Sequence, residues 1–186
     1  PPPPLRTQLG FLTDLTQLDI GDNELTGAIP TQIGMMTKIV TAANGGFLSR
    51  NEHTGETIPT ELGALTSMTS GGSFLSSSKL GGTIPSELGR MSLMTYGFYL
   101  NLNALSSSIP TQLGQLSEMR AQCRLESNPL SSSIPTQLGQ LTEMTSAFQL
   151  KSNKLCSDVP TQVQALSSGV TSGWQVTTGN ELLGSP

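Results

Sequence analysis

The feature that most constrains this chain is that it repeats itself. The pattern I-P-T-x-L-G-x-L recurs with heads at Leu5, Ile29, Ile58, Ile84, Ile109, Ile134 and Val159, at steps of 24, 29, 26, 25, 25 and 25 residues. The copies over 109–133 and 134–158 are nearly identical through Ser-Ser-Ser-Ile-Pro-Thr-Gln-Leu-Gly-Gln-Leu. A unit this short cannot bury its own apolar face, so successive units must stack and derive their stability from contacts between neighbours. The register predicts one domain of about seven coils over 1–186, with no independent second domain. The Pro1–Pro4 start, without methionine or signal peptide, and the stop at Pro186 in mid-repeat fit part of a longer chain.

Each column of the repeat has a physical reading. Leu9, Ile33, Leu62, Leu88, Leu113, Leu138 and Val163 form one apolar column, and Leu12, Met36, Leu65, Met91, Leu116, Leu141 and Leu166 form the next. Between them stand Gly10, Gly34, Gly63, Gly89, Gly114 and Gly139, where tight coil packing or positive φ would exclude a Cβ. The alternations Leu18-x-Ile20, Phe98-x-Leu100, Cys123-x-Leu125, Phe148-x-Leu150 and Trp174-x-Val176 mark short strands with one buried face. Identical strands in successive coils must pair in parallel, about 4.8 Å apart. An asparagine column follows at Asn23, Asn51, Asn103, Asn128, Asn153 and Asn180, broken by Ser78. A buried amide there needs partners, and the backbone of the neighbouring turn can supply them.

The stretch from Leu12 to Pro30, LTDLTQLDIGDNELTGAIP, resembles the plant-specific leucine-rich repeat LxxLxxLxLxxNxLxGxIP over its full length. Such repeats build the ectodomains of plant receptor-like kinases and the polygalacturonase-inhibiting proteins. The Ser-, Thr- and Met-rich 25-residue variant is also similar to secreted repeat proteins of diatom-like algae. The resemblance implies an α/β fold: a right-handed leucine-rich-repeat solenoid, with a parallel sheet on its concave side and short 3₁₀ turns on its convex side. It also implies an extracellular or cell-surface location. The sequence departs from the pattern in three ways. Most repeats carry an extra residue before the strand, as in Met144-Thr-Ser-Ala-Phe148. Ser107, Ser132 and Ser157 replace the glycine of LxGxIP, so that column is not expected to need positive φ. The long second repeat is expected to loop out over 42–46.

Composition narrows the function. The nine Lys and Arg are scattered from Arg6 to Lys154 and the net charge is −4, so no basic stripe is present to replace counterions, and nucleic acid is not an expected partner. No apolar run approaches the roughly 20 residues that span a bilayer. Two cysteines define no disulfide framework, and none of the asparagines lies in an Asn-X-Ser/Thr sequon. Cys123 reads as a buried thiol. Cys156, in Leu155-Cys156-Ser157-Asp158-Val159-Pro160, resembles the cysteine of terminal repeats in secreted relatives; it occupies another side of the coil and should not be bonded to Cys123.

No enzyme, metal or cofactor is expected. Glu118 and Glu143 share a column one coil apart, near the separation of a retaining glycosidase pair, but on a convex face without a cleft. Met68, Met94, Met119 and Met144 share theirs with Leu15 and Ile39 and read as core filler rather than as a soft-metal site. His53, the one histidine, stands at a leucine position and reads as a loop residue.

Two surfaces are candidates for binding. The outward strand position runs Asp19, Phe47, Phe74, Tyr99, Arg124, Gln149, Gln175, and the next runs Gly21, Ser49, Ser76, Asn101, Glu126, Lys151, Thr177. This reading places Phe47, Phe74 and Tyr99 in an exposed ridge beside Asn101, Arg124, Glu126 and Lys151, a composition typical of interface anchors for a protein, peptide or polysaccharide. The alternative is that Phe47 and Phe74, in irregular repeats, turn into the core. The second surface is a hydroxyl array around the I-P steps, Thr57/Thr60, Thr83/Ser86, Ser108/Thr111 and Ser133/Thr136, which would suit ice or a matrix polysaccharide. Self-association through the solenoid ends is a further expectation, because neither end shows an obvious cap.

Overall fold

The computed structural model describes residues 4–42 and 46–180. The middle of the looped insertion, 43–45, lies outside the described residues. Each coil begins where an Ile-Pro or Val-Pro step holds the backbone extended, as at Pro110 (φ −64°, ψ 134°). The five residues after it wind into a 3₁₀ turn, as at Thr31–Met35, Thr60–Ala64, Ser86–Arg90, Thr111–Gln115 and Thr136–Gln140. Thr7–Phe11 does the same after Arg6. In the last repeat Thr161–Ala165 is instead a short α-helix, α1. In the turns at Thr60–Ala64, Ser86–Arg90 and Thr111–Gln115 both the leucine and the glycine are buried, and the glycine meets the next coil.

The concave strands are β1 (Tyr96–Tyr99), β2 (Ala121–Arg124) and β4 (Ser146–Gln149), which pair in parallel in that order. Single bridges carry the ladder outward through Gln17, Thr41 and Ser70 on one side and Ser172 and Gln175 on the other. A second parallel ladder, which the repeat pattern did not announce, joins β3 (Ser131–Ser133) to β5 (Lys154–Cys156), with bridges Pro4–Thr26, Thr26–Glu52, Thr57–Gly81 and Ser107–Leu130 in earlier coils. One apolar cluster runs from Leu18 to Val176 and includes Met68, Met94, Met119 and Met144. The methionine ladder is therefore core.

Left-handed residues do the turning. One precedes the asparagine position in each coil, at Asp22, Arg50, Ser77, Leu102, Ser127, Ser152 and Gly179. A second, at Gly97, Gln122, Ala147 and Gly173, is the extra residue of the repeat. It forms a bulge between the register pairs Tyr96–Ala121 and Phe98–Cys123, and because neighbouring coils carry the same bulge the ladder resumes beyond it. The third corrects an expectation: Ser107, Ser132 and Ser157 keep the positive φ (70°, 69° and 69°) that Gly27 and Gly82 adopt at 72°. The parallel stack fixes this backbone, and serine bears a Cβ penalty of about 1–2 kcal/mol per site. The triple replacement Ser107→Gly, Ser132→Gly, Ser157→Gly should raise stability by about 1–2 kcal/mol, after the extra chain entropy of glycine is subtracted. A lower denaturation midpoint would contradict this account.

His53 lies in a loop, as expected, yet faces inward. It is fully buried at its leucine position, with Nδ1 2.7 Å from the Gly27 carbonyl oxygen. The side chain follows the inward direction of the column, not the irregular spacing of the repeat. Cys123 and Cys156 are both free thiols, as expected, and burial pushes the Cys123 thiol up to about 12. Glu118 and Glu143 stand exposed on the convex side, as a solvated face requires.

Candidate recognition surface on the concave sheet

The ridge of three exposed aromatics does not form. Phe47 and Phe74 are completely buried. Their rings stack 5.7 Å apart, and Phe74 stacks on Phe98 at 5.8 Å. The inward column thus reads Leu18, Phe47, Phe74, Phe98, Cys123, Phe148, Trp174. The cause is local. Gly46 (φ 92°) and Gly72 (φ 56°) turn the chain just before each phenylalanine, and Phe74 itself sits at φ 28°. These coils hold single bridges rather than full strands, so strict alternation fails and the rings follow the hydrophobic gain inward. The glycine pairs before Phe47 and Phe74 were the available signal.

Tyr99, Arg124, Glu126, Asn101 and Lys151 are brought together. β1 and β2 set Tyr99 opposite Arg124, and the Leu102 N–H donates to the Glu126 carbonyl at 3.1 Å, which puts Asn101 and Glu126 side by side. Phe98 is in the core and Tyr99 is half-buried on the outer face, as the alternation of a strand requires. The Arg124 guanidinium carbon lies 4.9 Å from the Tyr99 ring centroid, a cation–π contact. Arg124 Nη1 also reaches Glu126 Oε1 at 4.0 Å.

Polar demand here is unmet. Glu126 is 6% and Asn101 7% exposed, yet Glu126 Oε2, Asn101 Oδ1 and Arg124 Nε are buried without a hydrogen-bond partner. Leaving such groups without partners is costly, and three of the five unpartnered buried side-chain atoms among the described residues gather here. Burial pushes the Glu126 carboxyl above the usual range, partly offset by its own backbone N–H, Arg124 and Lys151. A folded-state pKa above the unfolded one means that folding disfavours the ionised form. The cost is absent below the unfolded pKa and grows as pH rises through the folded one. Glu126→Gln should therefore melt above the parent at neutral pH, with the difference shrinking on acidification. Equal melting at pH 7 would contradict this.

Sequence reasoning missed Tyr96 and Gln122. Tyr96 opens β1 and is 43% exposed. Together with Ala42, Ser70, Ser73, Tyr99 and Gln122 it lines a recess of about 270 Å³, floored by Gly72. The recess exists because Phe74 has left the concave face.

The coil stack, its paired ladders and its asparagine column define a leucine-rich-repeat solenoid, similar to those of plant receptor ectodomains. The Leucine Rich Repeat family profile matches residues 14–36. The fold matches the ectodomain of the plant membrane receptor kinase GASSHO1/SCHENGEN3 from Arabidopsis thaliana, solved with CASPARIAN STRIP INTEGRITY FACTOR 2 (TM-score 0.78, 33% identity, covering 88% of this chain and 18% of that one). It also matches the Arabidopsis receptor kinase HAESA, solved with the peptide hormone IDA and the co-receptor SERK1 (0.75, 28%, 85% and 25%). A plant ice-binding protein matches as well (0.68, 26%, 89% and 54%). The chain thus spans a quarter or less of these two receptor chains. No curated protein sequence matches it. No helix among the described residues is long and apolar enough to cross a membrane.

Proposed function

We propose that this chain is an extracellular recognition module that binds an extended peptide segment along its concave sheet, across Tyr99, Asn101, Arg124, Glu126 and Lys151. The observation that carries the reading is the group of buried, unpartnered polar atoms of Asn101, Arg124 and Glu126 beside the Tyr99–Arg124 stack. Similarity to a receptor ectodomain solved with a peptide hormone supports it. Phe47 and Phe74 serve as the floor of this surface, not as contacts.

The test is selection of linear peptides from a random phage-displayed library against the chain, followed by affinity measurement on variants. Tyr99→Ala and Arg124→Ala should each weaken a selected peptide at least about tenfold, as hot-spot anchors do. Thr111→Ala and Thr136→Ala, on the hydroxyl face, should leave it unchanged. Selected peptides indifferent to Tyr99 and Arg124 would refute the reading.

A second reading has one observation of its own. Thr57, Thr83, Ser108 and Ser133 are exposed in successive coils and, with Thr60, Thr111 and Thr136, form a regular hydroxyl face. The similarity to a plant ice-binding protein makes ice its natural probe. The array is imperfect: Ser86 is half-buried and Asp158 interrupts one column. Thermal hysteresis or faceted ice growth, abolished by Thr111→Lys with Thr136→Lys, would favour this reading over the first.

A further inference from the structure

We propose that the recess beside Tyr99 receives one tyrosine side chain of the bound peptide, which completes an aromatic stack that coil three leaves unfinished; this rests on the concave-face reading above. Coil three is tied to coil four on both sides of Phe74, through Gly71 N–H to the Tyr96 carbonyl (3.2 Å) and Leu75 N–H to the Tyr99 carbonyl (3.0 Å). The backbone therefore keeps the inter-coil step while its aromatic side chain points the other way. What remains on the concave surface is Ser70, Gly72 and Ser73.

Tyr99 stands between two different neighbours. Coil five lays the Arg124 guanidinium over its ring. Coil three offers the recess. Aromatic rings pair at centroid separations of about 4.5–7 Å, a range that includes the roughly 4.8 Å step between parallel strands. A ring seated over coil three would then stand from Tyr99 much as Phe74 stands from Phe98 on the inner side, at 5.8 Å. The exposed Tyr96 ring forms a second wall.

The lining selects among side chains. It has no charged group, so a carboxylate or ammonium would lose water without a counter-charge. Ser70, Ser73 and Gln122 present hydroxyls and an amide, which an aliphatic side chain would leave unpaired and a phenol can engage. Stacking and a polar edge together fit tyrosine.

The probe is the tripeptide acetyl-Gly-Tyr-Gly-amide, titrated against the chain while NMR follows the Tyr96 and Tyr99 rings, the Gln122 amide and the Arg124 Nε–H. Saturable shifts confined to these groups are expected, with the Leu tripeptide at least about tenfold weaker. Ser73→Trp, which fills the recess, should abolish the shifts. Tyr99→Leu keeps the side chain's bulk and should erase the Tyr-over-Leu preference, so the test survives if the tryptophan variant fails to fold. Equal binding of both tripeptides, tighter binding of cellotetraose at the same groups, or no saturable shift would each overturn the assignment. Library-selected peptides that need Arg124 but ignore Ser73→Trp would overturn it while leaving the concave-face reading intact. Selected peptides that ignore Arg124 and Tyr99 would remove both.

Discussion

Gly114→Ala is expected to cost the stack at least about 3 kcal/mol, although it adds a single methyl group. A Cβ at this position would lie 2.3 Å from the carbonyl oxygen of Gln137 and 2.7 Å from its carbonyl carbon. These are backbone atoms of the next coil, so no rotamer change relieves the contact. The same approach recurs where Gly10 faces Gln32, Gly34 faces Glu61, Gly63 faces Glu87 and Gly89 faces Gln112. Overpacking a core ordinarily costs about 1–3 kcal/mol, and more where neither side can yield. Because each coil contacts only its neighbours, the damage should localise to one interface. Unfolding should then broaden or split into two steps as the halves on either side of Gly114 uncouple. Gln115→Ala, one residue away and exposed, is the control and should stay within about 0.5 kcal/mol. An alanine variant at position 114 that melts with the parent would show that the coils are not held at this spacing.

Asn128→Ala should destabilise by about 3–5 kcal/mol, by a different route. Its Nδ2 donates to the carbonyl oxygens of Leu100 (3.0 Å) and Leu125 (3.2 Å), and its Oδ1 accepts from the Leu105 N–H at 3.0 Å. One buried amide thus satisfies backbone groups of two coils at a left-handed corner. Alanine leaves the Leu105 N–H unpaired in the core, at about 1–3 kcal/mol, and removes one of two donors from the Leu100 and Leu125 oxygens, at about 0.5–1.5 kcal/mol each, since Asn103 and Asn153 still donate to them. Asn153 repeats the arrangement with Leu125, Leu150 and Leu130. In coil three, Ser78 covers only the acceptor side, through Oγ to Leu48 O and Ser76 O, while Asn103 Oδ1 takes the Ser78 and Leu80 N–H groups. Amide exchange checks the mechanism: Leu105 N–H should lose its protection in Asn128→Ala while the core of distant coils keeps theirs. Retained protection at Leu105 would mean that water replaces the side chain at little cost.

Periodicity made the scaffold legible before any coordinates. A column of leucines, a glycine where coils touch and an asparagine where they turn each have one physical use in a stacked repeat, so their recurrence determined the concave parallel ladder and the inward methionines, while the resemblance to plant-type repeats implied the 3₁₀ turns. Tyr99, Arg124, Glu126, Asn101 and Lys151 were also legible as neighbours, because they lie in coils whose spacing is regular. Tertiary structure alone decided what happens where the register slips. Alternation says which face a residue takes only while the backbone remains a strand, and at Gly46 and Gly72 it does not. Phe47 and Phe74 therefore joined the inner stack, and an expected ridge became a recess. His53 went inward because its column does. Ser107, Ser132 and Ser157 adopted a left-handed backbone that their own preferences oppose, because hydrogen bonds to neighbouring coils outweigh the penalty at a single Cβ. The second ladder, too, follows from the way coils stack rather than from any one residue's propensity. In a solenoid the neighbour dictates the local conformation, so sequence reads best where neighbours are alike and least well where a coil departs from them.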